Sequence, residues 1–439
     1  MIDLIWYLVG ILFVLLGIAV SIALHELGHL WPAKKFGVKV TQYMIGFGPT
    51  VWSRHRGDTE YGIKAVPLGG YIAMIGMFPP AKPGKRVWSK KWANWVVSAR
   101  RSQLEQFGPD EDKRNFWQLP VYKRIIIMLG GPFANLVLGV LFTTIAVSGI
   151  GIYGPTTTIQ TVADCKPLNA LVECAATDPK SPAALAGFKA GDRIVSIGGK
   201  PTTVWTDLAT QLRPHVGHTV SVRVERDGKQ LELQVQPAML KRPVVDATGQ
   251  AYKLNSAGKP ILIGGPYLGV NLKSDYVPAG FDKSLQASWA SVAQVGQMLA
   301  VLPQKVGEVA MSTFGGGERK ADTPVSIVGI GQIAGEVASN NQVRVIDKVA
   351  MGLGILASLN FALFGFNLIP LLPLDGGHVA GALYEGVRRF FAKLFRRKDP
   401  GPVDTSQLVP LTTFMWAILL AMGLLFIVAD VVNPIKLGV

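Results

Sequence analysis

His25 and His29 stand four residues apart, with Glu26 directly after the first. On a helix this spacing puts both imidazoles on one face about one turn apart, where their nitrogens can share a zinc ion. Glu26 is then beside the metal as a base for water. In a soluble chain the pattern HELGH would read equally well as a pair of surface histidines. Here it closes an apolar run, and ionisable groups in a membrane span are costly unless paired, hydrated or metal-bound.

A catalytic zinc takes three protein ligands and keeps a fourth position open. Of the chain's six histidines, His55, His215 and His218 lie in polar sequence and read as solvated surface. The remaining region is Leu374-Asp375-Gly376-Gly377-His378. Either Asp375 is the third ligand, or His378 is, with Asp375 orienting its ring. The stretch NLIPLLPLDGG, 367–377, is broken by two prolines and two glycines. Inside a membrane such backbone persists only where protein or a water-filled cavity receives the freed groups. Reading Asp375 merely as a helix cap leaves the histidines one ligand short.

These residues need elements that deliver them to one depth. The chain of 439 residues is 49% hydrophobic and only 17% charged, below the usual quarter for soluble domains, and its mean hydropathy is +0.31. Leu4–Leu24, Ile125–Tyr153, Val349–Leu372 and Leu411–Val432 are apolar runs long enough to cross a hydrocarbon core of about 30 Å. The first lacks the basic leader and small-residue cleavage site of a signal peptide. Leu285–Gln304 is uncharged and of similar length, but its glutamines and serines suit an amphipathic surface helix better. A fifth span there would also carry Asp375 to the opposite side from His25.

Lys34, Lys35, Lys90, Lys91, Arg100, Arg101, Lys123 and Arg124 lie between the first two spans, and Arg388, Arg389, Lys393, Arg396, Arg397 and Lys398 between the last two. Basic residues mark cytoplasmic loops, so both termini and residues 154–347 are expected outside. The net charge of +15 is thereby explained by anionic lipid, with no nucleic-acid partner expected. Arg100 to Arg114 is polar and charge-rich and reads as a mobile cytoplasmic insertion. Cys165 and Cys174, the only cysteines, fall on the outer side, as a disulfide or as two free thiols.

With these residues assembled, the chain resembles the site-2 protease family of intramembrane zinc metalloproteases, specifically the RseP-like bacterial group with one PDZ domain. HELGH and Leu374-Asp375-Gly376 match that family's paired motifs. The resemblance implies Zn2+ held by His25, His29 and Asp375, Glu26 as general base, and Asn367 as a substrate-backbone contact. Gly130-Gly131-Pro132-Phe133-Ala134-Asn135 is similar to the family's second-span signature; for Asn135 helix packing is the reading favoured here. Residues 38–77 read as strands with glycine turns, like the family's membrane-associated β element, whose edge can receive an extended substrate. Pro182 to Ile194 and the alternating strands after it resemble a single PDZ domain over 157–238.

The expected fold is an α-helical polytopic membrane protein of four transmembrane helices with a membrane-associated β element and an inserted extracytoplasmic α+β PDZ domain. Its parts are a first membrane half (1–153), the PDZ domain (157–238), an extracytoplasmic linker with an amphipathic helix (239–347) and a second membrane half (348–439). The resemblance implies the bacterial cytoplasmic (inner) membrane, with the lipid bilayer and transmembrane protein substrates such as an anti-sigma factor or signal-peptide remnants as partners. A non-catalytic membrane scaffold or transporter with a PDZ module is the alternative from another class.

Overall fold

The computed structural model describes residues 2–79, 92–98, 101, 114–175, 177–244 and 252–435. The polar stretch 100–114 lies almost entirely outside the described residues. The chain divides into two compact units, Met1–Ser148 with Gly280–Val439, and Gly149–Ala279.

The first unit begins with α1 (Ile2–Lys35), 34 residues ending in HELGH and a basic last turn. Its buried positions Gly10, Val14, Ile18, Ser21 and His29 recur at helical spacing, while Leu8, Leu12 and Leu16 point outward and are exposed. Such a helix is apolar all round and suits lipid on its free side. Then come β1 (Val40–Arg56) and β2 (Thr59–Met74), an antiparallel pair. Each strand doubles back on itself: residues 42–45 of β1 pair both with 60–63 and with 70–73 of β2. The element is therefore one sheet four segments wide along the hydrogen-bonding direction, with 70–74 at one edge.

α2 (Val121–Thr144) continues into a π-helical turn, Ile145–Ile150. After the second unit follow α5 (Phe281–Phe314), α6 (Ile327–Ser339), α7 (Val345–Asn367), α8 (Asp375–Leu394) and α9 (Val409–Val432). Among the described residues four helices are long and apolar enough to cross a membrane: Ile2–Lys35, Val121–Ile150, Val345–Asn367 and Thr405–Val432. The run Leu285–Gln304 lies within α5, which packs on α2, α7 and α9 and is hydrogen-bonded between Ser284 and Ser148 at 2.7 Å. α6 lies along α1, where Gly10 meets the Ala334 backbone; small residues on both helices permit that approach.

The second unit has β3 (Ile152–Val162), α3 (Pro182–Ala186), β4 (Arg193–Ile197), β5 (Lys200–Pro201), α4 (Trp205–Leu212), β6 (Val220–Arg226), β7 (Lys229–Val235), β8 (Ala238–Pro243), β9 (Leu262–Tyr267) and β10 (Val270–Val277). The main sheet runs β10-β3-β4-β6-β7, with β5 on β4, and β8 with β9 forms a separate hairpin. Ile159, Phe188, Ile194, Leu208, Val222 and Val235 fill its core. The sequence expectation ended this module at 238, whereas β10 pairs with β3 and the unit runs to Ala279. Cys165 and Cys174 form a disulfide.

Candidate active site

The end of α1, the middle of α2 and the start of α8 converge. His25 Nε2 lies 3.2 Å from His29 Nε2, and Asp375 Oδ2 lies 3.4 Å from the first and 3.3 Å from the second. The three atoms form a nearly equilateral triangle. For zinc with ligands at about 2.0–2.1 Å, the edge of a tetrahedron is about 3.3 Å. Asp375 Oδ2 is buried and makes no hydrogen bond, as expected of an oxygen whose lone pair points at a cation. These three residues could hold zinc and leave the fourth corner of the tetrahedron open.

The chain path explains how Asp375 arrives. Pro370 and Pro373 stop α7 from continuing, and Leu374 is the N-cap of α8, so Asp375 is its first helical residue. A Cβ at Gly376 would come within 2.3 Å of the Ile369 carbonyl oxygen, so only glycine lets the 368–377 segment fold this tightly. His378, one turn further along α8, is not part of this triangle of atoms; of the two alternatives, Asp375 occupies the third corner.

α2 presses against the histidines from the other side. The Gly28 and Gly130 backbones are in contact, and a Cβ at Gly131 would stand 2.2 Å from His29 Nε2 and 2.7 Å from His25 Nε2. α2 also fixes both rings. His29 Nδ1 lies 2.7 Å from the Ile127 carbonyl, to which it donates, leaving Nε2 with its lone pair toward the triangle. The carboxamide of Asn135 lies 3.2 Å from His25 Nδ1, and Asn135 Oδ1 is buried without a partner. Turning this amide over, a rotation that exchanges only O and NH2, makes Oδ1 the acceptor for Nδ1–H. His25 Nε2 is then also free to bind metal.

Asn135 therefore corrects the packing reading: it is fully buried and its polar group is spent on a site histidine. The available signal was an amide in an apolar helix, a pattern it shares with ordinary packing residues. A second such amide, Asn360 on α7, donates to Ser21 Oγ at 3.0 Å one turn before His25, tying α7 to α1. Glu26 is largely buried at 8% exposure, and the β2 backbone at Gly70 approaches its side chain, where a Cβ would be 3.0 Å from Glu26 Cγ. Asn367 ends α7, half-buried, with no hydrogen-bond partner for its amide among the described residues. His55 lies exposed on β1, and His215 and His218 belong to the second unit. Cys165, Cys174 and Asp178 are also close enough together to share a cation, but the two sulfurs are bonded to each other.

The chain is 33% identical to zinc metalloprotease Rip1 of Mycobacterium tuberculosis, over 98% of this chain and 99% of the relative. It is 34% identical to zinc metalloprotease Rip1 of Mycolicibacterium smegmatis, over 98% of each. Metalloprotease MmpA of Caulobacter vibrioides is 28% identical over 89% of both chains. Residues 13–397, which contain the whole triangle of His25, His29 and Asp375, match peptidase family M50. With that match spanning most of the chain and relatives aligned from end to end, the protein belongs to peptidase family M50.

Proposed function

We propose that this protein is an intramembrane zinc metalloendopeptidase in which His25, His29 and Asp375 hold the metal and Glu26 moves the proton. The observation that carries this reading is the triangle of two imidazole nitrogens and one carboxylate oxygen, with edges of 3.2–3.4 Å. Zinc, when bound, supplies a Lewis acid and brings the pKa of water toward about 7. Ile127 and Asn135 hold the two rings so that Nε2 faces the site. Glu26 accepts a proton from the attacking water and delivers it to the leaving nitrogen, yielding two peptides without a covalent intermediate.

A peptide bond inside a transmembrane helix is shielded by its own hydrogen bonds, so a substrate must unwind locally before cleavage. The edge of the β element beside Glu26 suits capture of the unwound strand, and Asn367 is available to bind its backbone. The substrates in this reading are single-span membrane proteins such as anti-sigma factors, or signal-peptide remnants. The second unit acts as a PDZ domain outside the cytoplasmic membrane, docking or filtering substrates by the size of their outer domains. Membership of a peptidase family favours this over a scaffold or transporter.

The test is Glu26→Gln in the full-length protein. It should retain zinc and lose cleavage of a single-span substrate by about 10²-fold or more, since glutamine keeps the size but not the basicity. Cleavage at the normal rate removes Glu26 from this role.

A further inference from the structure

We propose that α8 is an in-plane membrane helix that docks on an acidic lipid surface and thereby holds Asp375 at the depth of the histidines. The sequence treats residues after Asp375 as a basic loop, yet the structure gives a continuous 20-residue helix, Asp375–Leu394. Its two faces have different fates. One is turned inward: Ala382 is buried and Glu385 has no exposed surface, its carboxylate bound by Arg124 of α2 at 2.5 Å and by the Val403 N–H at 2.9 Å.

Among the described residues the opposite face is exposed. Leu383, Tyr384, Val387, Phe390, Phe391 and Leu394 follow one another at spacings of one, three, three, one and three residues, and each is between 49% and 64% exposed. That pattern forms one apolar stripe along the helix. Its far end is basic, with Arg388 over the ring of Tyr384 at 5.7 Å and Lys393, Arg396, Arg397 and Lys398 at the C-terminus. An apolar stripe with basic residues at its border and end fits a surface of anionic headgroups above acyl chains.

Continuity with the spans selects lipid as the occupant. α7 and α9 are successive spanning candidates, so the chain from Asn367 to Val409 leaves and re-enters the membrane on one side. α8 occupies that return and is too charged to cross. It is thus held between lipid on its stripe and α2 on its Glu385 face, and α2 is the helix that fixes both histidine rings. Asp375 sits at the head of this clamped helix. Only this last coupling rests on Asp375 being a zinc ligand.

The experiment uses the full-length protein in vesicles of phosphatidylcholine alone or mixed with phosphatidylglycerol, with a nitroxide at Phe390→Cys. The label's contacts with oxygen and with a water-soluble nickel chelate report its depth whether or not the site holds zinc. In mixed vesicles oxygen contact should exceed nickel contact, and zinc loss to a chelator should be slower by about 10-fold or more than in neutral vesicles. One basic residue near an acidic surface strengthens attachment by about fivefold, so replacing Lys393, Arg396, Arg397 and Lys398 together by glutamine should abolish both effects. Nickel contact exceeding oxygen contact at position 390 overturns the membrane docking. Equal depth in both vesicles and in the fourfold variant overturns the role of acidic lipid. Depth that responds while zinc loss does not overturns the coupling to Asp375, and leaves the zinc site itself to be judged by metal content.

Discussion

Gly131→Ala is the smallest change that strikes the proposed metal site without removing a ligand. The new methyl carbon would lie 2.2 Å from His29 Nε2 and 2.7 Å from His25 Nε2, where ordinary contact begins at 3.4 Å. The first contact is short by about 1.2 Å. The ring cannot yield freely, because Ile127 holds His29 Nδ1 at 2.7 Å. A displacement of about 1 Å at a reacting centre costs roughly 10²-fold in rate, so kcat/KM should fall by at least that factor, together with zinc affinity. Intrinsic propensity works the other way, since alanine in a helix interior is favoured over glycine by about 1 kcal/mol; loss of the site should therefore occur in a folded protein. Gly423→Ala on α9, where a Cβ meets nothing within 4 Å, is the control and should keep both properties. The assay is zinc competition with a chromogenic chelator beside cleavage of a single-span substrate. Normal zinc affinity and rate in Gly131→Ala would refute the assignment of these Nε2 atoms as ligands.

Asn135→Leu should lower zinc affinity by about 10–100-fold, the usual cost of losing a group that orients a ligand, while Asn135→Asp, which keeps an acceptor for Nδ1–H, should stay nearer to normal; equal affinity in the two variants would contradict the orienting role. In the second unit, burial pushes the Asp192 carboxyl up, but hydrogen bonds from Arg226 at 2.6 and 2.7 Å and from the Lys189 N–H at 2.9 Å outweigh it and hold it below its ordinary value. Its contribution to stability is thus complete above the unfolded carboxyl pKa of about 3.9 and is lost as pH falls through the lower folded value. Arg226→Met, which leaves a buried carboxylate unpaired, should cost about 3 kcal/mol and raise the pH at which amides of residues 149–279 lose exchange protection; an unmoved acid transition would count against it. In intact cells a membrane-impermeant thiol reagent should label Lys200→Cys and not Arg396→Cys, and labelling of the latter would reverse the proposed topology.

The convergence of His25, His29 and Asp375 was anticipated from the sequence because metal chemistry restricts the choices: a histidine pair at helical spacing asks for a third ligand, and few ionisable residues sit near a span end. The choice between Asp375 and His378 was not legible, since both belong to one helical turn and only the path of the 368–377 backbone separates them. Asn135 was hidden for a different reason. An amide in an apolar helix reads as packing until its distance to His25 is known. The spans were found by length and hydropathy, whereas α6 escaped because its 13 residues are too few to cross a membrane and its glycines lower any helical expectation. β10 escaped because its partner β3 lies more than a hundred residues away in the chain, a pairing that no local pattern announces. α8 was read from its charges alone, and its apolar stripe emerges only when the other face is seen to be occupied by Arg124.

The central claim is that two imidazoles and one carboxylate hold the metal, and X-ray absorption at the zinc edge of the purified full-length protein tests it most directly. The account predicts one zinc per chain with a first shell of nitrogen and oxygen only, at about 2.0–2.2 Å, containing two imidazoles, and loss of the metal in Asp375→Ala and in His29→Ala. A sulfur in that shell, or full zinc occupancy with an unchanged spectrum in Asp375→Ala, would contradict it.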